Sequence, residues 1–130
     1  MREPTRKKLM LVEDDDETRE LELDLLGAEG YQVIALPNGD AVAETAKREA
    51  PDLLILDLML PHKDGMQVLT ELGHEPTTAN TPVFVVSAYV DRPGVRQSLR
   101  ACPQVKRILE KPFEIGDLLE SVARELGSST

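Results

Sequence analysis

A single cysteine, Cys102, stands in 130 residues, so no intramolecular disulfide can form and a reducing cytoplasmic setting is expected. No apolar run reaches membrane-spanning length, and no signal-peptide pattern precedes the first apolar segment. Excess positive charge is missing too. Lys and Arg number 15 against 24 Asp and Glu, and the net charge of −9 argues against nonspecific nucleic-acid binding. The basic residues Arg2, Arg6, Lys7 and Lys8 read as a solvated tail leading into the first strand rather than as a nucleic-acid arm. Internal repeats and low-complexity segments are absent. His62 and His74 have no Cys or His partner at ligand spacing, which makes them loop histidines rather than metal ligands. What is present is ordinary for a soluble globular domain, with 41% hydrophobic and 30% charged residues. At this length one domain with its own core is expected.

Short apolar runs alternate with amphipathic stretches. Strands are predicted at 8–12, 32–36, 53–57, 83–87 and 105–109. Helices are predicted at 17–28, 40–49, 66–72, 93–100 and 113–126, the fourth being weak. In the first helix Leu21, Leu25 and Ala28 share one face, which is the expected inner face. Pro37-Asn38-Gly39, Pro51-Asp52 and the loop 61–65 supply breaks, and Pro82 opens the fourth strand. Five strands alternating with five helices call for a doubly wound α/β fold with a parallel sheet.

In such sheets function gathers beyond the C-terminal strand ends. Those ends carry Glu13-Asp14, Asp57, Ser87 and Lys111. Asp57 closes the run Leu53-Leu54-Ile55-Leu56, which reads as a strand covered on both faces. A carboxylate there is costly unless its charge is met. Asp14 and Asp57 brought together would repel, and one would be forced neutral unless a cation intervened. Magnesium is the natural candidate, with Glu13 helping through a bound water. An aspartate can itself be a nucleophile that forms an aspartyl-phosphate. Phosphoryl transfer needs mainly positioning and charge neutralisation, for which Lys111 and Ser87 are suitable groups. Asp15, Asp16 and Glu17, in contrast, read as acids at the start of the first helix.

From Lys7 to Leu126 the chain resembles the receiver domains of bacterial two-component response regulators, the CheY-like family. The resemblance rests on Leu11-Val12-Glu13-Asp14 with Arg19, on Asn38-Gly39, and on Pro51 to Pro61 with Asp64-Gly65. Val85-Val86-Ser87-Ala88 and Lys111-Pro112-Phe113 complete it. It implies a flavodoxin-like sheet in the order 2-1-3-4-5, with 1–6 as a tail, 7–126 as the receiver and 127–130 as a tail or the start of a linker. It also implies that Asp57 accepts a phosphoryl group from a histidine kinase or a histidine phosphotransfer protein. Asp14 would bind Mg2+ directly, Glu13 would assist, and the backbone carbonyl of Met59 would complete the metal shell. Ser87 would turn toward the phosphoryl group, Lys111 would bridge Asp57 and a phosphoryl oxygen, and Lys111-Pro112 would be cis. The module would be a monomer or weak dimer in the cytoplasm. It would switch a downstream protein partner, without itself binding nucleic acid or membrane.

Two departures bear on output. The family usually has Phe or Tyr three positions before the lysine, and here Ile108 stands there, which puts ring-gated signalling in question. Met59 and Tyr89 occupy the positions that flank the water path to the phosphoryl group, and neither offers a carboxylate or amide, so slow self-dephosphorylation is expected. Arg92, Arg96, Arg100, Lys106 and Arg107 make the fourth-helix region basic, either as a solvated face or as a partner surface. A degenerate receiver acting as a scaffold is the alternative reading. A haloacid-dehalogenase-type phosphatase is more remote, because it expects a second Asp where Met59 stands and usually a cap region.

Overall fold

The computed structural model describes residues 6–88 and 90–127. The elements run β1 (Lys8–Val12), α1 (Asp16–Ala28), β2 (Gln32–Leu36), α2 (Val42–Glu49), β3 (Leu53–Asp57), α3 (Gly65–His74), β4 (Val83–Ser87), α4 (Val95–Arg100), β5 (Val105–Glu110) and α5 (Ile115–Leu126). All neighbouring strands pair in parallel, and the sheet order is β2-β1-β3-β4-β5, as expected.

Strand alternation divides the core into two layers. Met10, Val12, Leu54, Leu56, Val83 and Val85 point to one face, where Val42 and Ala46 of α2, Leu69 and Leu72 of α3 and Leu99 of α4 cover them. Leu9, Leu11, Leu53, Ile55, Phe84 and Val86 point to the other, under Leu26 of α1 and Leu118 and Val122 of α5. Every residue of β3 and β4 is buried. Their uniformly apolar sequences are therefore the signature of strands covered on both faces, and alternation is not visible in them.

Four strands match the predicted limits, and β5 extends one residue further to Glu110. Helix ends moved more, for local reasons. In the β2–α2 loop the Asp40 amide donates to Asn38 Oδ1 at 2.9 Å, and this turn delays α2 to Val42. Gly94 takes a left-handed φ of 82°, so α4 begins at Val95 rather than Pro93. Asp64 accepts from the Met66 amide at 2.7 Å and starts α3 at Gly65, and the helix runs on to His74. His74 is thus the last residue of α3, whereas His62 is a loop histidine paired with Asp40 at 2.7 Å.

The inner face of α1 differs from the predicted one. Leu21 is 54% exposed and Ala28 is also exposed, while Glu22 and Leu26 are buried. The cause lies at the helix start. Arg19 Nη1 donates to the carbonyls of Glu13 at 3.0 Å and Asp14 at 3.4 Å. That anchor turns the row through Arg19, Glu22 and Leu26 toward the sheet.

Gly65 fixes how closely α3 approaches the end of β3. A Cβ there would lie 2.6 Å from Leu58 Cα and 2.9 Å from the Asp57 carbonyl oxygen. Both are backbone atoms next to Asp57 and cannot yield cheaply. Gly65→Ala is expected to cost about 1–3 kcal/mol through overpacking. Chemical denaturation checks this, and an unchanged midpoint would mean that the loop relaxes freely.

Candidate functional site

At the C-terminal edge of the sheet the polar strand ends converge. Asp57 ends β3 and is 5% exposed, and Glu13 follows β1 directly and is 3% exposed. Lys111 follows β5 and crosses to both. Its Nζ lies 2.7 Å from Glu13 Oε1 and 2.8 Å from Asp57 Oδ2. The second oxygen of Asp57 accepts from the Met59 amide at 2.9 Å, and the second oxygen of Glu13 accepts from the Asp15 amide at 3.1 Å. Both buried carboxylates are therefore held at both oxygens by charged or backbone donors, which is what makes their burial tolerable.

The backbone sets this geometry. The Lys111 amide donates to the Ser87 carbonyl at 3.0 Å, which ties the start of the lysine's loop to the end of β4. The peptide Lys111-Pro112 is cis, as expected. Ser87 is fully buried at the last position of β4, opposite Glu110 in the ladder. Asp14 lies at the exposed rim, in a loop whose carbonyls Arg19 holds. Asp15 caps α1, accepting from the Thr18 amide at 2.9 Å, in line with the reading of the acidic run beyond Asp14.

Electrostatics at the site are strained toward negative charge. Burial pushes the Glu13 carboxyl above the usual range, and the charge of Asp57 adds to this against the opposing pull of Lys111. Burial by itself would lower the Lys111 ammonium, but its hydrogen bonds to Asp57 and Glu13 outweigh that and hold it well above the ordinary lysine value. Carboxylate oxygens of Glu13, Asp14 and Asp57 all lie within 4.8 Å of one another. Three carboxylates against one ammonium leave a deficit that a cation would offset. The donor set is all oxygen, which fits a hard ion such as Mg2+ and not a zinc site of Cys and His.

The strand ends thus bring together Glu13, Asp14, Asp57, Ser87 and Lys111. The backbone of Met59 joins them through its amide, while its side chain is 47% exposed. Tyr89 lies outside the described residues, as do residues 1–5 and 128–130 of the expected tails. Ile108 is half-buried and packs on the α2–α3–α4 side of the core.

Three features escaped the sequence reading. Lys111 reaches Glu13 as well as Asp57, and the Met59 amide braces Asp57. The third is Glu22 of α1, a buried carboxylate whose pKa burial and the nearby charge of Glu13 raise to about 7. Its position four residues before Leu26 was the available signal.

Comparison with known proteins accords with this geometry. A family model described as the response regulator receiver domain matches residues 9–123. The polar-differentiation response regulator DivK of Brucella anthropi is 29% identical over 126 residues, covering 95% of this chain and 98% of DivK. Among solved structures, the signal receiver domain of a LuxO repressor protein from Vibrio parahaemolyticus superposes with a TM-score of 0.84 at 28% identity, covering 95% of this chain and 92% of that one. The receiver domain of the sensor histidine kinase PA1611 from Pseudomonas aeruginosa has a TM-score of 0.83 at 23% identity, covering 95% and 100%, and holds a magnesium ion in its active-site cleft. With the matched family model spanning nearly all of the folded body, the chain belongs to the response regulator receiver domains, the signalling modules of two-component systems.

Proposed function

We propose that this receiver is a phosphorylation switch in which Asp57 accepts a phosphoryl group from the histidine of a sensor kinase or of a histidine phosphotransfer protein. The observation that carries this reading is the state of the Asp57 carboxylate: buried, oriented by Lys111 and the Met59 amide, and flanked by Glu13 and Asp14. An oxygen of Asp57 attacks phosphorus, the phosphorus–nitrogen bond to the donor histidine breaks, and the imidazole leaves. Asp14 and Asp57, with Glu13 and the Met59 carbonyl, would hold Mg2+, which supplies neutralisation of the phosphoryl charge when bound. Lys111 follows the negative charge from Asp57 to a phosphoryl oxygen, and the Ser87 hydroxyl turns to another.

The output is altered binding of a protein partner rather than turnover of a separate substrate, in a cytoplasmic monomer or weak dimer. No described helix is long and apolar enough to cross a membrane. Ile108 is the observation that favours a phosphorylation-independent scaffold, and one experiment separates the two readings. Incubation with magnesium and acetyl phosphate should add one phosphoryl mass to wild type and none to Asp57→Asn in an intact-mass spectrum. An unmodified wild type would leave the scaffold reading in its place.

A further inference from the structure

We propose that the groove between the start of β5 and the end of α5 binds a small phosphomonoester that also carries a hydroxyl group. The groove has a volume of about 180 Å³ and is lined by Phe84, Lys106, Arg107, Ser121, Arg124 and Glu125. Ser121 carries the inference. It is 6% exposed on the inner face of α5, beside the buried Leu118 and Val122, where an apolar residue would ordinarily stand. Its hydroxyl has no hydrogen-bond partner among the described residues. Every fully buried side-chain polar atom of those residues does have a partner, so this hydroxyl opens into the groove it lines. A nearly enclosed, unpaired hydroxyl is a ready donor to a bound oxygen.

The edge strand brings cations to the same place. Regular alternation from Val105, which packs on the α4 side of the core, would return Arg107 to that side. Instead Val83 pairs with Val105 and Phe84 with Arg107, so β5 holds one extra residue. The shift turns Arg107 to the face of Phe84, which lies under α5. Arg124 follows Ser121 by three residues and so neighbours it on the helix. The side chains of Lys106 and Arg107 have no partner among the described residues of this acidic chain. Both also border the α4 side, and Ser121 and Arg124 are what fix a ligand beneath α5. Arg124 has only Glu120, an exposed pair that yields cheaply.

Three cations against the carboxylate of Glu125 leave a surplus of two positive charges in the lining, which matches a phosphate dianion. Glu125 repels a bare phosphate, yet it accepts a hydrogen bond from a hydroxyl on the organic part of an ester. The volume equals about six waters' share of liquid, room for a phosphate on a short stem. Lys106 and Arg107 lie at the beginning of β5, whereas Asp57 ends β3, so the groove is at the opposite edge of the sheet from the phosphorylation site. The inference does not rest on phosphorylation of Asp57, and its failure leaves that reading standing.

The experiment is an NMR titration of the nitrogen-15-labelled full chain with glycerol 3-phosphate, in EDTA so that no metal joins Asp57. Orthophosphate, glycerol and potassium chloride at matched ionic strength are parallel probes. Glycerol 3-phosphate should shift the amide signals of Lys106, Arg107, Ser121 and Arg124 saturably. Orthophosphate should bind more weakly, and glycerol and chloride should leave these signals in place. Affinity should fall by about tenfold in Arg107→Gln and by about threefold or more in Ser121→Ala. Arg107 is exposed and alanine favours a helix, and an unchanged unfolding midpoint verifies that both variants fold. The proposal is overturned if the shifts do not saturate, if they centre on Asp57 and Lys111, or if both variants bind as wild type does. Equal shifts with chloride would make the groove an unselective cationic surface, and equal affinity for orthophosphate would remove the ester and its hydroxyl from the assignment.

Discussion

Glu22→Gln should stabilise the protein at pH 8 by about 3 kcal/mol and change its stability little at pH 4. Glu22 is 5% exposed on the inner row of α1, and its pKa in the fold is about 7 against an ordinary 4.5. Burial is the main cause, and repulsion from Glu13 and Asp57 adds to it more than Lys111 relieves. Below pH 4.5 both the folded and the unfolded chain carry Glu22 neutral, so it costs nothing. Between 4.5 and 7 the unfolded chain releases the proton while the folded chain keeps it, and stability falls as pH rises. Above 7 the full penalty is in place. Glutamine never ionises and removes this slope while keeping shape. Carboxylates with lowered values, such as Asp15 and Glu49, slope the other way but act equally in both proteins. The measurement is therefore the difference between variant and wild-type unfolding free energies in urea across pH. A difference that does not grow between pH 4.5 and 7 would place the Glu22 charge in adequate solvent and refute its desolvation.

The same residue marks where the sequence ceased to be a sufficient guide. Strands β1 to β4 were legible to the residue because uninterrupted runs such as Leu53 to Leu56 bounded by Pro51 and Asp57 admit few alternatives. The carboxylate, hydroxyl and ammonium groups of the site were legible for a related reason. A parallel sheet delivers the C-terminal ends of its strands to one edge, so Glu13, Asp57, Ser87 and Lys111 had to meet. The phase of α1 was not legible. Leucines at 21, 23, 25 and 26 spread over an arc of about 200° with Glu22 in its middle, too broad for a narrow apolar stripe to fix the rotation. The choice is made by hydrogen bonds from Arg19 to two loop carbonyls, which no periodicity registers. The irregularity in β5, where Val83 pairs with Val105 but Phe84 pairs with Arg107, was hidden likewise, because a register shift depends on what the neighbouring strand offers.

Lys111→Met should destabilise the fold by about 3 kcal/mol at pH 8 and by clearly less at pH 5. The ammonium stands between two carboxylates that are 3% and 5% exposed, and removing it leaves both charges buried without their shared partner. Methionine keeps most of the apolar stem, so the loss of charge dominates over the loss of packing. The carboxylates then have one escape, protonation. Glu13, already raised by burial, rises further in the variant, and the unfolded chain releases that proton first as pH climbs. The penalty is therefore largest at high pH and shrinks on acidification. Magnesium chloride should return more stability to the variant than to wild type, because a cation among Glu13, Asp14 and Asp57 no longer competes with Lys111 for the same oxygens. Urea unfolding of both proteins at the two pH values, with and without magnesium, reads all of these effects. Asp57→Asn in the Lys111→Met background should recover part of the loss by removing one of the orphaned charges. A loss equal at pH 5 and pH 8 and insensitive to magnesium would instead assign the contribution of Lys111 to its packing and not to its charge.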